Sequence, residues 1–193
     1  ERVKIQYGTS MCYPVSSMGS HVSVVPNHQL NRKTPLHTRA NVAYFGTFGY
    51  ELDLNKLSDE EISEVKQQIT FMKEYRELIQ FGTFYRLKSP FEGNETVWMT
   101  VSEDKKTALV FWYRERNVVN ADFTRVRLQG LDPDLIYRNE YNETENYGDE
   151  LMNLGLLTTD CTAGEPTSED APCTDYESRI YVLTTVARIP SPL

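Results

Sequence analysis

Residues 58–82, SDEEISEVKQQITFMKEYRELIQFG, carry the clearest structural signal in the sequence. Ser58 and Glu61 form the S-x-x-E pattern of a capping box, in which each side chain accepts a hydrogen bond from an otherwise unpaired backbone N–H. The pattern predicts a long helix that packs on neighbouring structure. A membrane-surface helix is the alternative, but its polar face would be basic, whereas this one mixes Glu, Lys and Gln. The apolar residues recur at helical spacing up to Gly82: Ile62, Val65, Ile69, Met72 and Ile79.

Two shorter extended stretches precede this helix, at residues 18–25 (MGSHVSVV) and 48–54 (FGYELDL). Between them Thr34 offers an N-cap and Pro35 a first helical residue, and the helix-compatible stretch ends before Gly46, which can take the left-handed conformation. Parallel neighbouring strands need helical crossovers of this kind. The first part of the chain is therefore predicted to be α/β, with consecutive β/α units of one sheet or barrel.

After Lys88 the helical pattern gives way to the period-two alternation of β-strands. The polar turn at residues 102–106 predicts a hairpin, and residues 130–134, GLDPD, are a second turn signal. We therefore expect an α/β domain at residues 1–87 and an all-β antiparallel domain at residues 88–193. The predicted strands lie at residues 97–101, 107–113, 126–128 and 180–189.

Composition narrows the classes of function. The net charge of −8 argues against binding to nucleic acid, because phosphate contacts need clustered Lys and Arg. No stretch approaches the roughly 20 apolar residues that span a bilayer. Metal-ligand spacing and a phosphate-binding glycine motif with its lysine are both lacking, so neither a metal nor a cofactor is expected. Cys161 and Cys173 flank a polar loop and could form a local disulfide in a secreted protein.

Candidate site residues lie near the ends of the two predicted strands in the first domain. His21 and His28 bracket residues 22–27, where α/β barrels carry substrate loops, so we take His21, Asn27 and His28 as candidate residues of a substrate rim. A role of the histidines in ordering the loop is the alternative. Asp53 is the acid whose position resembles a barrel-top catalytic residue, with a role in starting the next turn as the alternative. The chain has no nucleophile elbow, so a catalytic triad is not predicted.

Ordered motifs run through nearly the whole chain. They are IQYGTS at residues 5–10, YP at 13–14, MGSHVS at 18–23, PNHQ at 26–29, TPL at 34–36, GYELD at 49–53, YRELIQFG at 75–82, SPFE at 89–92, WM at 98–99, GLDP at 130–133 and GDELM at 148–152. In this order and spacing they closely resemble α-galactosidases of glycoside hydrolase family 36.

The resemblance implies a fold with an N-terminal β-supersandwich, a (β/α)8 TIM barrel and a C-terminal antiparallel β-sandwich domain. This chain would hold the last β/α units of the barrel and the C-terminal domain. The implied reaction removes terminal α-linked galactose from melibiose and raffinose-type oligosaccharides with retention of configuration. The family's aspartate nucleophile and acid/base precede the matching positions, so no catalytic residue is expected here. Glu1, in place of an initiator Met, fits a fragment of a longer protein.

The resemblance further implies a homo-oligomeric, tetrameric parent and a bacterial cytoplasmic location, with secretion as the alternative. The loop from Cys161 to Cys173 departs from the family pattern and leaves the compartment open. Two other functions are considered. One is a stand-alone carbohydrate-binding or structural β-module in which Trp98, Trp112 and Tyr113 line an exposed sugar platform, although period-two alternation suggests that some of these rings face a core. The other is a related enzyme that acts on α-N-acetylgalactosamine or transfers galactose.

Overall fold

The computed structural model describes residues 1–116, 118, 123–158 and 175–186. They belong to two compact units, Glu1–Phe81 and a second unit that begins at Gly82. The first unit is helical with short parallel strands, and the second is dominated by an antiparallel sheet. The change of pattern read from the sequence therefore corresponds to a change of architecture. The domain boundary placed between residues 87 and 88 falls within the first strand of the second unit.

Two parallel strands and three helices make up the first unit. Strand β1 pairs in parallel with β2, with Val22 opposite Tyr50 and Ser23 opposite Glu51, and helix α2 lies in the connection between them. This is the predicted β/α arrangement, although each strand has only 2 residues. In chain order the elements are α1 (Arg2–Thr9), a 3₁₀ turn (Val15–Ser17), β1 (Val22–Ser23), α2 (Leu36–Ala43), β2 (Tyr50–Glu51), a second 3₁₀ turn (Leu54–Lys56) and α3 (Asp59–Phe81).

Helix α3 begins at the predicted capping box. The backbone N–H of Ser58 donates to Oε2 of Glu61 at 3.0 Å, and the N–H of Glu61 donates to Oγ of Ser58 at 3.3 Å. Val65, Met72 and Ile79 are buried, which confirms the apolar face, and the helix ends at Phe81, immediately before Gly82.

Helix α2 begins differently from the prediction. Pro35 occupies the N-cap position with extended backbone, and no side chain caps the helix. The prediction of Thr34 as N-cap is therefore wrong. The first helical hydrogen bond runs from the N–H of Arg39 to the carbonyl of Pro35 at 3.1 Å, whereas the carbonyl of Thr34 accepts a hydrogen bond from Nε of Arg39 at 3.0 Å. Gly46 follows the helix at a φ of 156°, outside the left-handed helical conformation that its position suggested.

The second unit contains a six-stranded antiparallel sheet of order β3-β4-β5-β10-β7-β8 and a two-stranded pair, β6-β9. Val101 pairs with Ala108 across the turn between β4 and β5, which confirms the predicted hairpin. The elements are β3 (Thr83–Lys88), β4 (Glu95–Val101), β5 (Thr107–Arg114), β6 (Arg125–Val126), β7 (Ile136–Asn139), β8 (Glu145–Tyr147), α4 (Gly148–Asn153), β9 (Leu156–Leu157) and β10 (Glu177–Thr185).

One face of the large sheet packs under the smaller elements. Val110 and Trp112 of β5 join Val126 of β6 and Leu151 of α4 in one buried cluster, so β6, α4 and β9 cover this face. The other face of the central strands is buried as well, since Trp98 and Phe111 are fully inaccessible. Strand β10 lies between β5 and β7 and contains residues 180–185 of the strand predicted at 180–189. Val186 follows its end, and residues 187–189 lie outside the described residues.

Candidate functional site

The two parallel strands place their following loops at one edge of the first unit. Residues 24–35 leave the end of β1, and residues 52–58 leave the end of β2. In α/β barrels the loops at the carboxyl ends of the strands carry the substrate site. The candidate site residues of the first domain are therefore expected at this edge.

The side chains of the two strands face in alternate directions. Tyr50 faces helix α3, because its hydroxyl donates to Oε1 of Gln68 at 2.8 Å. Val22, the register partner of Tyr50, is fully buried. Alternation along a strand then puts His21 and Glu51 on the opposite face, away from the helix. In a barrel that face is the interior.

His21 and Glu51 contact each other on this face. Nε2 of His21 meets the carboxylate of Glu51, and the two side chains are 39% and 70% exposed. The pair is an ion pair whenever the imidazole is protonated. Glu51 was not among the candidates, and only the parallel register, which pairs Ser23 with Glu51, brings it beside His21.

Asn27 organises the loop that follows β1. Its Oδ1 accepts hydrogen bonds from the backbone N–H groups of Gln29 at 3.0 Å and Leu30 at 3.1 Å, as in an Asx turn. Its own N–H donates to the carbonyl of Arg32 at 2.9 Å, which closes the turn. Asn27 thus shapes the loop with its side-chain oxygen, while His28 stands exposed at the tip.

Two arginines hold β1 from the helices on either side. Arg2 of α1 donates to the carbonyl of His21 at 3.1 Å and to Oγ of Ser23 at 2.6 Å. Arg39 of α2 donates through Nη1 to the carbonyl of Ser23 at 2.6 Å and through Nε to that of Thr34 at 3.0 Å. Sequence reasoning missed both arginines, because their partners on β1 are far away in the chain and lack a recognisable spacing.

Asp53 has a structural role. Its Oδ1 accepts hydrogen bonds from the backbone N–H of Asn55 at 3.1 Å and from the side-chain amide of Asn55 at 3.0 Å. It therefore caps the 3₁₀ turn Leu54–Lys56, which was the alternative to a catalytic role. Across residues 1–116, 118, 123–158 and 175–186, no group of three or more His, Cys, Asp or Glu is arranged to hold a metal ion.

The aromatic residues suggested as a sugar platform are buried. Trp98, Trp112 and Tyr113 are 0%, 1% and 5% exposed. Trp112 lies in the core of the second unit and donates its indole N–H to Oε1 of Glu95 at 3.1 Å. The prediction that these three rings form an exposed platform is therefore wrong. Both faces of strands β4 and β5 are buried, so none of the three rings is open for a sugar to stack on.

Membrane and disulfide predictions have different outcomes. Among the helices of the described part of the chain, none is long and apolar enough to cross a bilayer. Cys12 is an exposed free thiol. Cys161 and Cys173 lie outside the described residues, so their pairing stays a prediction.

The two units define the class of the chain, a parallel β/α segment followed by an antiparallel β-domain, and comparison with known families agrees with it. The family model described as Melibiase matches residues 1–82. The model described as Glycosyl hydrolase family 36 C-terminal domain matches residues 95–183. The chain belongs to glycoside hydrolase family 36.

Relatives in this family are named as α-galactosidases. The chain is 54% identical over 155 residues to α-galactosidase AgaA of Geobacillus stearothermophilus, a match that covers 80% of the chain and 21% of the relative. It is 50% identical over 156 residues to α-galactosidase Mel36A of Lactobacillus acidophilus, a match that covers 81% of the chain and 21% of that relative. The chain therefore spans about a fifth of the length of these relatives.

Solved structures confirm the fold class. The α-galactosidase of Lactobacillus brevis superimposes with a TM-score of 0.87 at 42% identity, over 100% of this chain and 25% of that one. An AgaA variant in complex with raffinose gives a TM-score of 0.85 at 47% identity, with 96% and 24% covered. The chain thus corresponds to the last β/α units of a TIM barrel and the C-terminal β-sandwich domain that follows.

Proposed function

We propose that this chain is the part of an α-galactosidase that completes the catalytic barrel and carries the C-terminal β-domain. The parent hydrolyses terminal α-D-galactosyl residues of melibiose and raffinose-type oligosaccharides with retention of configuration. The observation that carries the proposal is the consecutive match of the two family models, in order, to a parallel β/α pair and an antiparallel sheet. The raffinose complex of the AgaA variant supports the choice of substrate.

The catalytic carboxylates come from the part of the parent outside this chain. A retaining glycosidase needs two carboxyl groups about 5 Å apart across the scissile bond, one as nucleophile and one as acid/base. At the strand edge described above, Asp53 is engaged as a turn cap and Glu51 contacts His21. These contacts give both carboxylates a structural explanation, which supports a chain that supplies shape and contacts to the site and leaves the bond chemistry to the rest of the protein.

His21, Asn27 and His28 form the substrate rim in this proposal. His28 presents an exposed imidazole that can exchange hydrogen bonds with sugar hydroxyls. Asn27 holds the loop that carries it, and His21 lies on the barrel-facing side of β1. We keep the predicted division into a barrel part and a β-domain, with strand β3 at their junction.

A chimera tests the proposal. The stretch of AgaA that matches this chain is replaced by the chain, and the product is assayed with p-nitrophenyl α-galactoside, melibiose and raffinose. We expect hydrolysis of all three, with an α-anomer as the first product seen by NMR. A folded chimera that hydrolyses none of them overturns the proposal. For the intact parent, a preference for p-nitrophenyl α-N-acetylgalactosaminide over p-nitrophenyl α-galactoside would redirect the substrate assignment.

The coding sequence upstream of Glu1 gives an independent test. About 100 further residues, the scale of one domain, should encode earlier β/α units with an aspartate at the end of a strand. An upstream sequence without such units contradicts the proposed parent. The family resemblance also leads us to propose a homotetramer in the bacterial cytoplasm, to be checked by light scattering and by cell fractionation of the intact protein.

A further inference from the structure

The loop at residues 24–33 is tied at both ends to one side chain. Ser23, the last residue of β1, precedes the loop, and Thr34 follows it. Arg39 donates to the carbonyl of each, at 2.6 Å and 3.0 Å. Hydrogen bonds from a guanidinium are charge-assisted and roughly twice as strong as neutral ones, and the planar fork fixes the direction of each bond. The start and the end of the loop are therefore held at a fixed separation.

The inside of the loop is closed by its own hydrogen bonds. The side-chain oxygen of Asn27 accepts hydrogen bonds from the N–H groups of Gln29 and Leu30. Its carbonyl accepts a hydrogen bond from the N–H of Asn31 at 2.8 Å, and its own N–H donates to the carbonyl of Arg32 at 2.9 Å. The inner turn spans residues 27–32, so only residues 24–26 and 33 lie between the turn and the clamped ends. The clamp on the ends therefore decides where the inner turn sits.

The surroundings of Arg39 favour this role. Burial lowers the pKa of the Arg39 guanidinium, while the carboxylates of Glu61 and Glu64 raise it. The side chain is thus partly removed from water and stays charged beside two acids. From the other side, Arg2 binds the side-chain oxygen of Ser23, so the strand end that receives Arg39 is itself fixed.

The tip of the loop presents His28 together with Leu30, whose side chain is 61% exposed. His28 follows Ser23 by five residues, on the loop that leaves the carboxyl end of β1. The reacting bond of a barrel enzyme sits close to the strand ends. Groups at the loop tip are therefore placed to meet the sugars beyond the terminal galactose, where an imidazole can bind hydroxyls and a leucine can pack on a C–H surface.

We propose that Arg39 is a positioning residue that clamps the loop at residues 24–33, and that the tip of this loop sets the affinity for the sugar units beyond the terminal galactose. The inference rests on the proposed function. It concerns how one class of substrate is bound and leaves the bond chemistry unchanged.

Kinetics in the chimera test this inference. Arg39→Met should raise KM for raffinose about tenfold, with a much smaller change in KM for p-nitrophenyl α-galactoside and in kcat for both. Arg39→Lys keeps the charge but cannot direct two fixed donors at two carbonyls, so it should restore only part of the raffinose affinity. Arg76→Met is the matched control, because Arg76 lies on the exposed side of α3, and both substrates should behave as with the unchanged chimera.

A second readout follows the loop directly. Trypsin cleavage after Arg32 and Lys33, located by mass spectrometry, should become several times faster in Arg39→Met and stay unchanged in Arg76→Met. Asn27→Ala, which opens the inner turn with Arg39 intact, should also raise KM for raffinose selectively, and it tests the loop if Arg39→Met does not fold.

The outcomes separate the two proposals. If the chimera that carries this chain without substitutions folds but has no activity, the proposed function and this inference are both overturned. An active chimera in which Arg39→Met and Asn27→Ala affect both substrates equally, or neither, overturns the inference alone.

Discussion

The hydroxyl of Tyr50 donates a hydrogen bond of 2.8 Å to Oε1 of Gln68 and so joins strand β2 to helix α3. Nε2 of Gln68 in turn donates to Oε1 of Glu64 at 2.8 Å. The rings around this contact pack as well, since Tyr50 meets Phe48 edge to face with ring centroids 5.3 Å apart. The helix is therefore fixed against the strand by a directed polar contact in addition to its apolar face.

Removal of this hydroxyl should lower stability. In Tyr50→Phe, Oε1 of Gln68 loses its hydrogen-bond donor, and Gln68 is buried, with only 6% of its surface exposed. An unpaired buried polar atom costs about 1–3 kcal/mol of the free energy of unfolding. Urea unfolding of the chain, followed by circular dichroism at the helical band, measures the loss. Tyr13→Phe, at a side chain that is 63% exposed, is the control and should leave the urea midpoint unchanged.

The same tyrosine should make stability depend on alkaline pH. Burial, together with the charge of Glu64, raises the pKa of Tyr50 from 10.0 to about 12. Between these values the unfolded chain releases the phenolic proton while the folded chain keeps it, so stability falls as pH rises. The urea midpoint should drop from pH 10 towards pH 12, and less steeply in Tyr50→Phe. Some fall should persist in that variant, because burial also raises the pKa of Tyr44 and Tyr113.

Local signals in the sequence predicted local structure well. The capping box at Ser58 and the hairpin around residues 102–106 depend on residues only a few positions apart, and both form as predicted. The prediction at Thr34 was wrong by one residue, because the first helical hydrogen bond runs from the N–H of Arg39 to the carbonyl of Pro35. Long-range contacts such as that of Arg39 with Ser23 have no period and no spacing in the sequence.

The candidate site was predictable only in part. His21 and His28 were candidates because of their place near a strand end, and their role at a substrate rim stays a prediction. Glu51 contacts His21 only through the register of two parallel strands. The burial of all three rings, Trp98, Trp112 and Tyr113, was also predictable only in part. Alternation tells which residues share a face, and it does not tell that both faces are buried, as they are in β4.

Loss of the capping serine should weaken helix α3. Ser58→Ala leaves the N–H of Glu61 without its acceptor in the first turn, and such a change costs about 1 kcal/mol. The expected result is a lower urea midpoint in circular dichroism, with Ser58→Asp close to the unchanged chain because aspartate also caps. Ser63→Ala, on the exposed side of the same helix, serves as control. Equal midpoints for Ser58→Ala and Ser63→Ala would show that the box does not contribute.

The strongest stability effect is expected in the second unit, at Glu177. One carboxylate oxygen of Glu177 pairs with Arg114, whose side chain is only 8% exposed, and the other binds Arg179 at 2.7 Å. Glu177→Gln leaves the guanidinium of Arg114 buried without its counter-charge, and breaking such a buried pair costs about 3–5 kcal/mol. Because Trp112 lies beside both arginines, its fluorescence should report the lower urea midpoint.

Glu143→Gln is the control for this prediction. It removes an ion pair with Arg138 in which the side chains of Arg138 and Glu143 are 46% and 77% exposed, and it should cost about 1 kcal/mol or less. Similar losses in the two variants would mean that burial of Arg114 adds nothing to the strength of its pair.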